Sequence, residues 1–367
     1  IFDKLTSDLI SGDEISGSDA FKLYDTYGFP LDLTELMARE KGLSVDADGF
    51  EKSMAKQKQR ARDAGSFTHS FDDGEWHEVS KGPSNIFVGY VKDECTSKIR
   101  KYRLDGEDIE LVLERTPFYA EQGGQVGDTG TISMDDFLIE ITDTRKNGED
   151  ISHFGKIKSG DIQNTTEVVA KINKNRRNRI RLNHTATHLL QQALKMVMGD
   201  HVHQAGSHVG PDRLRFDLTH FERIDIKELS KIEDIVNSAI RNNTFLDIQV
   251  MSFDKAREDG AVALFGEKYG DEVRVVDVPG FSKELCGGTH VERTGDIGAF
   301  KIVTESALAS GVRRIEAITG NAVIDLIHEQ ESIINNLKDL LKTSVDQIPE
   351  RIDSILNEKK LMGKELS

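Results

Sequence analysis

Cysteine is nearly absent. Cys95 and Cys286 are the two present in 367 residues, too few and too far apart for a disulfide framework, and thiols so placed serve more often as free groups or metal ligands. Long apolar runs are missing as well: nothing approaches the roughly 20 residues that a membrane-spanning helix requires, and no charged segment leads into an apolar stretch as a secretory signal would. The expected compartment is therefore cytoplasmic, with no membrane partner. An excess of positive charge is also lacking. The formal net charge of -16 argues against a protein that coats nucleic acid non-specifically, because that requires Lys and Arg clustered against phosphates.

What is present is ordinary for a soluble globular protein, with 37% hydrophobic and 31% charged residues. The length exceeds one usual domain, so two or three are expected, each with its own core. One local departure from the acidic balance stands out. Lys171, Lys174, Arg176, Arg177, Arg179 and Arg181 place six cations within eleven residues, which is either a solvated stretch or an RNA-facing patch. The chain begins at Ile1 rather than Met and stops at Ser367 inside a helical pattern, as a fragment would.

Residues 1–65 read as helical. Asp19 is placed to cap a helix carrying Phe21, Leu23 and Tyr24 that stops at Gly28 before Pro30; a second helix is expected from Asp32 to Lys41, and a third from about Asp46 with Lys56, Lys58, Arg60 and Arg62 along its last turns. Asp46, Asp48 and Gly49 do not make a calcium loop, since the remaining oxygen ligands are missing. Residues 66–85, rich in Gly, Ser and Asp, mark a linker. Over 86–172 short alternating segments follow at turn-separated intervals: Phe87–Val91, Lys98–Arg103, Ile109–Glu114, Phe137–Thr142 and Glu167–Ile172. Such spacing fits a small antiparallel barrel or sandwich.

Residues 173–320 alternate between the two periods. Asn178–Met198 and Ile226–Arg241 read as helices, while Leu214–Leu218, Phe245–Met251, Glu272–Val278, Ala299–Thr304 and Val312–Thr319 read as strands, giving an α+β domain. Residues 321–367 form two amphipathic helices, a hairpin, with Pro349 in a first turn where its missing N–H is tolerated.

The chemistry is concentrated in two short motifs. His184 and His188, in His-Thr-Ala-Thr-His, stand four residues apart, so on a helix both imidazoles share one face and can share one metal. A lone pair of this kind is often an ordinary core or surface feature. Cys286 and His290, in Cys-Gly-Gly-Thr-His, add a soft thiolate and a third imidazole with glycines between them, and zinc is the ion that such a set suits. A metalloprotease would carry Glu where Thr185 stands, and a zinc deaminase would carry His-x-Glu with Pro-Cys-x-x-Cys; neither pattern occurs. Four protein ligands usually close a structural zinc site, whereas a catalytic one keeps a position open. The glycine-dense stretch Thr116–Gly130 is either a pocket-lining loop or a pair of hairpin turns. His201, His203 and His208, around Gln204, read as surface residues.

Taken in order, these motifs resemble the editing region of alanyl-tRNA synthetases and of the related free-standing alanyl-tRNA deacylases. Ala20-Phe-Lys-Leu-Tyr-Asp-Thr-Tyr-Gly-Phe-Pro-Leu-Asp-Leu-Thr34 resembles the end of the synthetase's tRNA-recognition domain, which the free-standing enzymes lack, and Ser310-Gly-Val-Arg-Arg-Ile-Glu-Ala317 resembles the end of the editing domain. The resemblance implies an α+β protein: an N-terminal helical segment, a small antiparallel β-barrel, a zinc-binding editing domain similar to those of threonyl- and alanyl-tRNA synthetases, and a helical hairpin. It implies Zn²⁺ held by His184, His188, Cys286 and His290, and Gln204 as the polar residue needed to clear the wrong amino acid. Glu121, Gln122, Gly123, Gly124, Gln125, Asp128 and Thr185 would line the pocket. Arg313 joins Arg176, Arg177 and Arg179 as a tRNA contact. The expected partner is tRNA(Ala) mischarged with serine or glycine, with aminoacylation and C-terminal domains lying outside this chain and oligomerisation through that C-terminal region left open. The alternatives are a free-standing deacylase and a non-enzymatic tRNA-binding scaffold whose zinc is structural.

Overall fold

The computed structural model describes residues 2–6, 9, 12–27, 31–54, 56, 75–263 and 270–365. In the N-terminal part, helices α1 (Gly17–Tyr27) and α2 (Leu31–Glu40) enclose a small core of Phe2, Ile15, Ala20, Leu23, Ala38, Leu43 and Phe50. The cap of α1 is Ser16 rather than Asp19. The Ser16 hydroxyl accepts from the Asp19 amide at 3.1 Å and donates to the Asp19 carboxylate at 2.8 Å, a reciprocal arrangement that satisfies an orphan helix donor. The expected stop at Gly28–Pro30 and the basic residues Lys58, Arg60 and Arg62 lie outside the described residues.

Six antiparallel strands then close into a barrel: β1 (Glu94–Asp105), β2 (Asp108–Leu113), β3 (Gly130–Met134), β4 (Phe137–Asn147), β5 (Asp150–Ser159) and β6 (Glu167–Ile172). Their order is β6-β3-β4-β5-β2-β1, and β1 pairs again with β6, so the sheet has no free edge within the ring. Inward residues such as Ile99, Ile109, Leu111, Leu113, Ile132, Ile139, Ile141 and Val168 fill the interior. Along β1 the buried positions change parity, from Ser97 and Ile99 to Arg100 and Tyr102, at a register shift between Ile99 and Lys101. A bulge of this kind turns the strand and hides its periodicity. The strand expected over Phe87–Val91 is only Ile86–Phe87, which pairs with Arg115–Thr116 and runs into a turn at 89–91.

The third part is built on helix α3 (Lys174–Met198), which begins four residues before the expected Asn178. Cations oppose the dipole at a helix start, but the Asn173 side chain caps it by accepting from the Arg176 amide at 3.0 Å. Beside it lie a four-stranded antiparallel sheet, a second helix α4 (Ile226–Arg241) and a three-stranded sheet. In chain order the strands are β7 (Gln204–Val209), β8 (Leu214–Thr219), β9 (Asp247–Ser252), β10 (Glu272–Val278), β11 (Ser282–Leu285), β12 (Phe300–Ala309) and β13 (Val312–Thr319). The sheet orders are β7-β8-β13-β12 and β9-β10-β11. One continuous core joins them, with Leu189, Leu190, Leu194, Phe216, Ile232, Val236, Val276 and Ile315 buried. Two helices follow, α5 (Asn321–Leu341) and α6 (Ile348–Glu365). The architecture is mixed α and β with a six-stranded barrel. No described helix is long and apolar enough to cross a membrane.

Arg177 ties the barrel to α3. Its side chain is fully buried and ion-paired with Asp128; Nη1 donates to the Gly89 carbonyl at 2.8 Å and Nη2 to the Pro117 carbonyl at 2.9 Å. Asp128 also accepts from the Tyr119 amide at 2.8 Å. Removing one partner of such a pair strands a buried charge, so Asp128→Ala should lower stability by about 3–5 kcal/mol. Urea unfolding with an unchanged m-value checks this, and a loss under about 1 kcal/mol, the scale of an exposed pair, would contradict the assignment.

Candidate metal centre

Helical spacing puts His184 and His188 on the buried face of α3, one turn apart. Facing them, β11 ends at Leu285 and the chain turns through Cys286-Gly-Gly-Thr-His290. One ligand atom from each of His184, His188, Cys286 and His290 lies within 4.8 Å of the others. Cys286 Sγ is 3.4 Å from His184 Nε2 and 3.3 Å from His290 Nε2, close to the roughly 3.5 Å edge of a zinc tetrahedron with one sulfur and three nitrogens.

The close turn depends on Gly288. A Cβ there would stand 2.0 Å from His184 Cε1, so no side chain fits between the imidazole and the loop. The Gly288 amide reaches Cys286 Sγ at 3.4 Å, and Arg274 donates to the carbonyls of Cys286 at 2.8 Å and Gly288 at 2.9 Å. One backbone donor thus faces the sulfur, and Arg274 fixes the turn through its carbonyls.

Two of the three histidines are held by their other nitrogen. Gln125 Oε1 accepts from the Thr289 backbone amide at 2.8 Å and lies 2.7 Å from His184 Nδ1. Because a main-chain N–H identifies that atom as the oxygen, His184 Nδ1 must donate to it, and the bare lone pair is left on Nε2, beside Cys286. His290 Nδ1 is 3.1 Å from Thr185 Oγ1, and His188 Nδ1 is 3.4 Å from a Glu284 carboxylate oxygen, without the alignment of a hydrogen bond. This outer ring is the arrangement that orients metal-binding imidazoles.

Burial shapes the electrostatics. Desolvation lowers all three imidazoles, His188 to about 4 and the other two well below the ordinary value; Arg274 adds repulsion at each, and neighbouring histidines add it at His184 and His290. Burial also raises Glu284 to about 8. Neutral imidazoles at neutral pH leave no proton for a cation to displace from them. The residues present therefore fit a divalent metal ion.

A pocket of about 240 Å³ opens beside this cluster. His184, His188 and Cys286 line it together with Tyr119, Gln122, Gly123, Gln204, Ser207, Arg274 and Glu284. Gln204 enters from the first position of β7 and donates to Ser207 Oγ at 3.1 Å. The glycine-rich loop reaches the pocket through a two-residue turn at Gly123 and Gly124, both at positive φ, closed by reciprocal bonds between the backbones of Gln122 and Gln125. A Cβ on Gly124 would meet Ser207 at 2.4 Å. Loop and β7 are joined by the Val209 amide donating to the Gly124 carbonyl at 2.7 Å.

Other expected site residues stand elsewhere. Gln125, Asp128 and Thr185 are fully buried, supporting the wall from behind rather than facing a ligand. Glu121 is exposed beyond the loop, with its amide on the Thr144 carbonyl. Arg177 is not a surface cation at all, because it is consumed by Asp128 and two carbonyls. Arg313 is mostly covered and paired with Glu305 at 2.5 Å, which leaves it no open face for a phosphate. Arg176 donates to the Gly127 carbonyl at 2.7 Å, and Arg179 pairs with the exposed Asp212 at 2.6 Å. Of the six cations of the basic run only Arg177 is buried; Lys171, Lys174 and Arg179 are exposed and paired with Glu94, Asp93 and Asp212. Arg274 and Tyr119 carried no spacing signal, whereas Glu284 had a faint one: it stands two residues before Cys286 at the end of a strand, where alternation gives both the same side.

Comparison with known proteins identifies what the chain is similar to. A family model described as tRNA synthetases class II (A) matches residues 1–176, and one described as threonyl and alanyl tRNA synthetase second additional domain matches residues 273–316. The chain is 44% identical to an alanine–tRNA ligase of Legionella pneumophila (strain Corby) over 98% of its own length and 43% of that protein. It is 44% identical to one of Shewanella loihica over 100% and 42%, and 45% identical to one of Thermoanaerobacter sp. (strain X514) over 96% and 41%. The chain spans less than half the length of these relatives.

Removing both His184 and Cys286 by substitution with Ala should abolish bound metal by elemental analysis. A finer outcome follows from the tautomer argument. Gln125→Leu should keep the four ligands yet weaken metal binding by about 10–100-fold, measured by competition with a chelator. Unchanged affinity would mean that Gln125 does not set the His184 tautomer.

Proposed function

The chain belongs to the alanyl-tRNA synthetase family, and from that premise we propose that it is the editing portion of such a ligase, hydrolysing tRNA(Ala) charged in error with serine or glycine. The observation that carries this is the shared pocket: three of the four candidate ligands, Gln204 and the tip of the glycine-rich loop line one hollow. A purely structural metal would need no such opening. Zn²⁺ held by His184, His188, Cys286 and His290 would supply electrophilic assistance to water or to the ester. His290 does not line the pocket, so the three ligands that do are the face a substrate meets.

Selection against serine is the task of the protein's own polar groups. An alanine site cannot sterically exclude glycine, and it rejects one extra hydroxyl poorly, since a methyl-sized difference supplies about 1–3 kcal/mol. A second site that hydrogen-bonds the hydroxyl reverses the preference, because alanine leaves those groups unpaired. Gln204 and Ser207, bonded to each other at the pocket wall, are the groups we assign to that contact. Glycine lacks a hydroxyl and should be cleared more slowly.

The ligation of alanine itself, and the binding of tRNA by the larger protein, extend this proposal to the family activity. A non-enzymatic scaffold with a structural ion is the second reading, favoured by a ligand count that usually closes a zinc site.

Zinc-supplemented protein should release serine from mischarged tRNA(Ala) in low salt, spare alanine, and fail to exchange pyrophosphate with ATP in the presence of alanine. Gln204→His should slow serine release by about tenfold or more, equivalent to roughly 1.4 kcal/mol of transition-state stabilisation, with an unchanged thermal midpoint. Serine that stays attached while metal and fold are intact would favour the scaffold reading; parallel loss of stability and activity would deny Gln204 a direct role.

A further inference from the structure

Arg274 stands on the wall of the metal-side pocket with His184, His188 and Cys286, and no carboxylate neutralises it. Its Nη1 donates to the Cys286 carbonyl at 2.8 Å and to the Gly288 carbonyl at 2.9 Å. The guanidinium carbon lies 4.3 Å from the centre of the Tyr90 ring, and the Tyr90 hydroxyl donates to the Gly287 carbonyl between them at 2.6 Å. Three successive carbonyls are thereby occupied, and the cation is held in place by carbonyls and a ring alone. Resting on the deacylation reading, we propose that Arg274 is a catalytic residue whose Nε–Nη2 edge donates to the carbonyl oxygen of the bound aminoacyl ester and to the oxyanion that this oxygen becomes.

A guanidinium carries five N–H donors. Two of them serve the turn, and the three on Nε and Nη2 have no acceptor among the described residues. That edge is the fork with which arginine meets oxygen anions. Glu272 and Glu284 share the pocket wall, but neither pairs with Arg274 among the described residues, and the Glu284 carboxylate stands against His188 at 3.4 Å.

The charge of Arg274 is felt at all three imidazoles of the candidate metal centre. A cation so placed repels a metal ion, which is a cost in a site that only holds the fold together. It becomes an advantage where negative charge develops. A divalent ion with one thiolate and neutral imidazoles retains one net positive charge, and Arg274 adds a second, so the loaded pocket favours an anionic transition state over a neutral ester.

In the step itself, a water oxygen bonds to the ester carbonyl carbon and the π pair moves onto the carbonyl oxygen, where the Arg274 fork meets it. Collapse restores the carbonyl and breaks the bond to the ribose oxygen, which leaves with a proton from the water. Arg274 donates hydrogen bonds throughout and transfers no proton.

The test uses two non-hydrolysable probes on the same nucleoside, titrated calorimetrically into the zinc-supplemented chain. One is serine amide-linked to 3′-amino-3′-deoxyadenosine, a neutral mimic of the ester; the other is the phosphonate analogue of serine esterified to adenosine, a tetrahedral anion. Arg274→Gln should weaken the phosphonate by about 10–100-fold, the worth of charge-assisted hydrogen bonds, and the amide by less than about threefold. Zinc content is measured beside each titration. If the Gln variant loses zinc, Arg274→Lys, which keeps the charge without the fork, is read instead and should weaken the phosphonate by about tenfold. Tyr90→Phe, which releases one turn carbonyl and leaves the guanidinium, should weaken both probes alike or neither. Equal losses for the two probes at Arg274, no loss, or a phosphonate-specific loss in Tyr90→Phe overturns the proposal. Hydrolysis of seryl-tRNA by the wild-type chain is read separately: hydrolysis without a phosphonate-specific loss at Arg274 leaves editing standing and refutes this inference, and the converse result supports the Arg274 contact and refutes editing.

Discussion

A buried guanidinium governs the layout of the protein. Arg177 leaves α3 in its first turn and ends among Asp128, Gly89 and Pro117, three points on separate segments of the barrel side. Its desolvation is tolerable only because a carboxylate and two carbonyls replace the lost water, and that replacement exists in one docking of barrel against helix. Asp128 in turn receives the Tyr119 amide, so the same contact sets the ends of the glycine-rich loop. Moving α3 would therefore move both walls of the pocket.

From that fixed helix the metal centre follows by short steps. His184 and His188 come with α3, and Gln125, carried by the barrel loop, reaches across to His184 and Thr289 together. One amide thus reports the position of the loop to the histidine and to the Cys-Gly-Gly-Thr-His turn. The barrel is part of the candidate metal site even though it contributes none of the four candidate ligands. This explains why the two halves of the candidate ligand set, about a hundred residues apart in sequence, meet with Cys286 Sγ against the Nε2 atoms of His184 and His290.

Much of this was legible in the sequence, and the failures have physical causes. The clustering of the four candidate ligands was legible because His and Cys pairs at turn-like spacing are chemically specific. The α+β alternation and the barrel were legible from periodicity, except where it was broken. β3, rich in Gly, Thr and Ser, and β5 with its register shifts carry little alternation, and β7 is a polar, glycine-containing strand recognisable only by its partners. Within the basic run, charge in sequence does not reveal burial: Arg177 is the largest fully buried side chain among the described residues, and its acidic partner lies 49 residues away. Gln125 and Asp128, expected at the pocket surface, are buried because a loop dense in glycine turns its polar side chains inward to hold neighbours.

The central claim is that two histidines of α3 and the Cys-Gly-Gly-Thr-His turn bind one zinc ion with inward-facing Nε2 atoms. X-ray absorption on the zinc-loaded chain tests it most directly. The account predicts one sulfur at about 2.3 Å and imidazole nitrogens at about 2.0–2.1 Å, three of them if no substrate displaces a ligand; a first shell of oxygen and nitrogen without sulfur would contradict it.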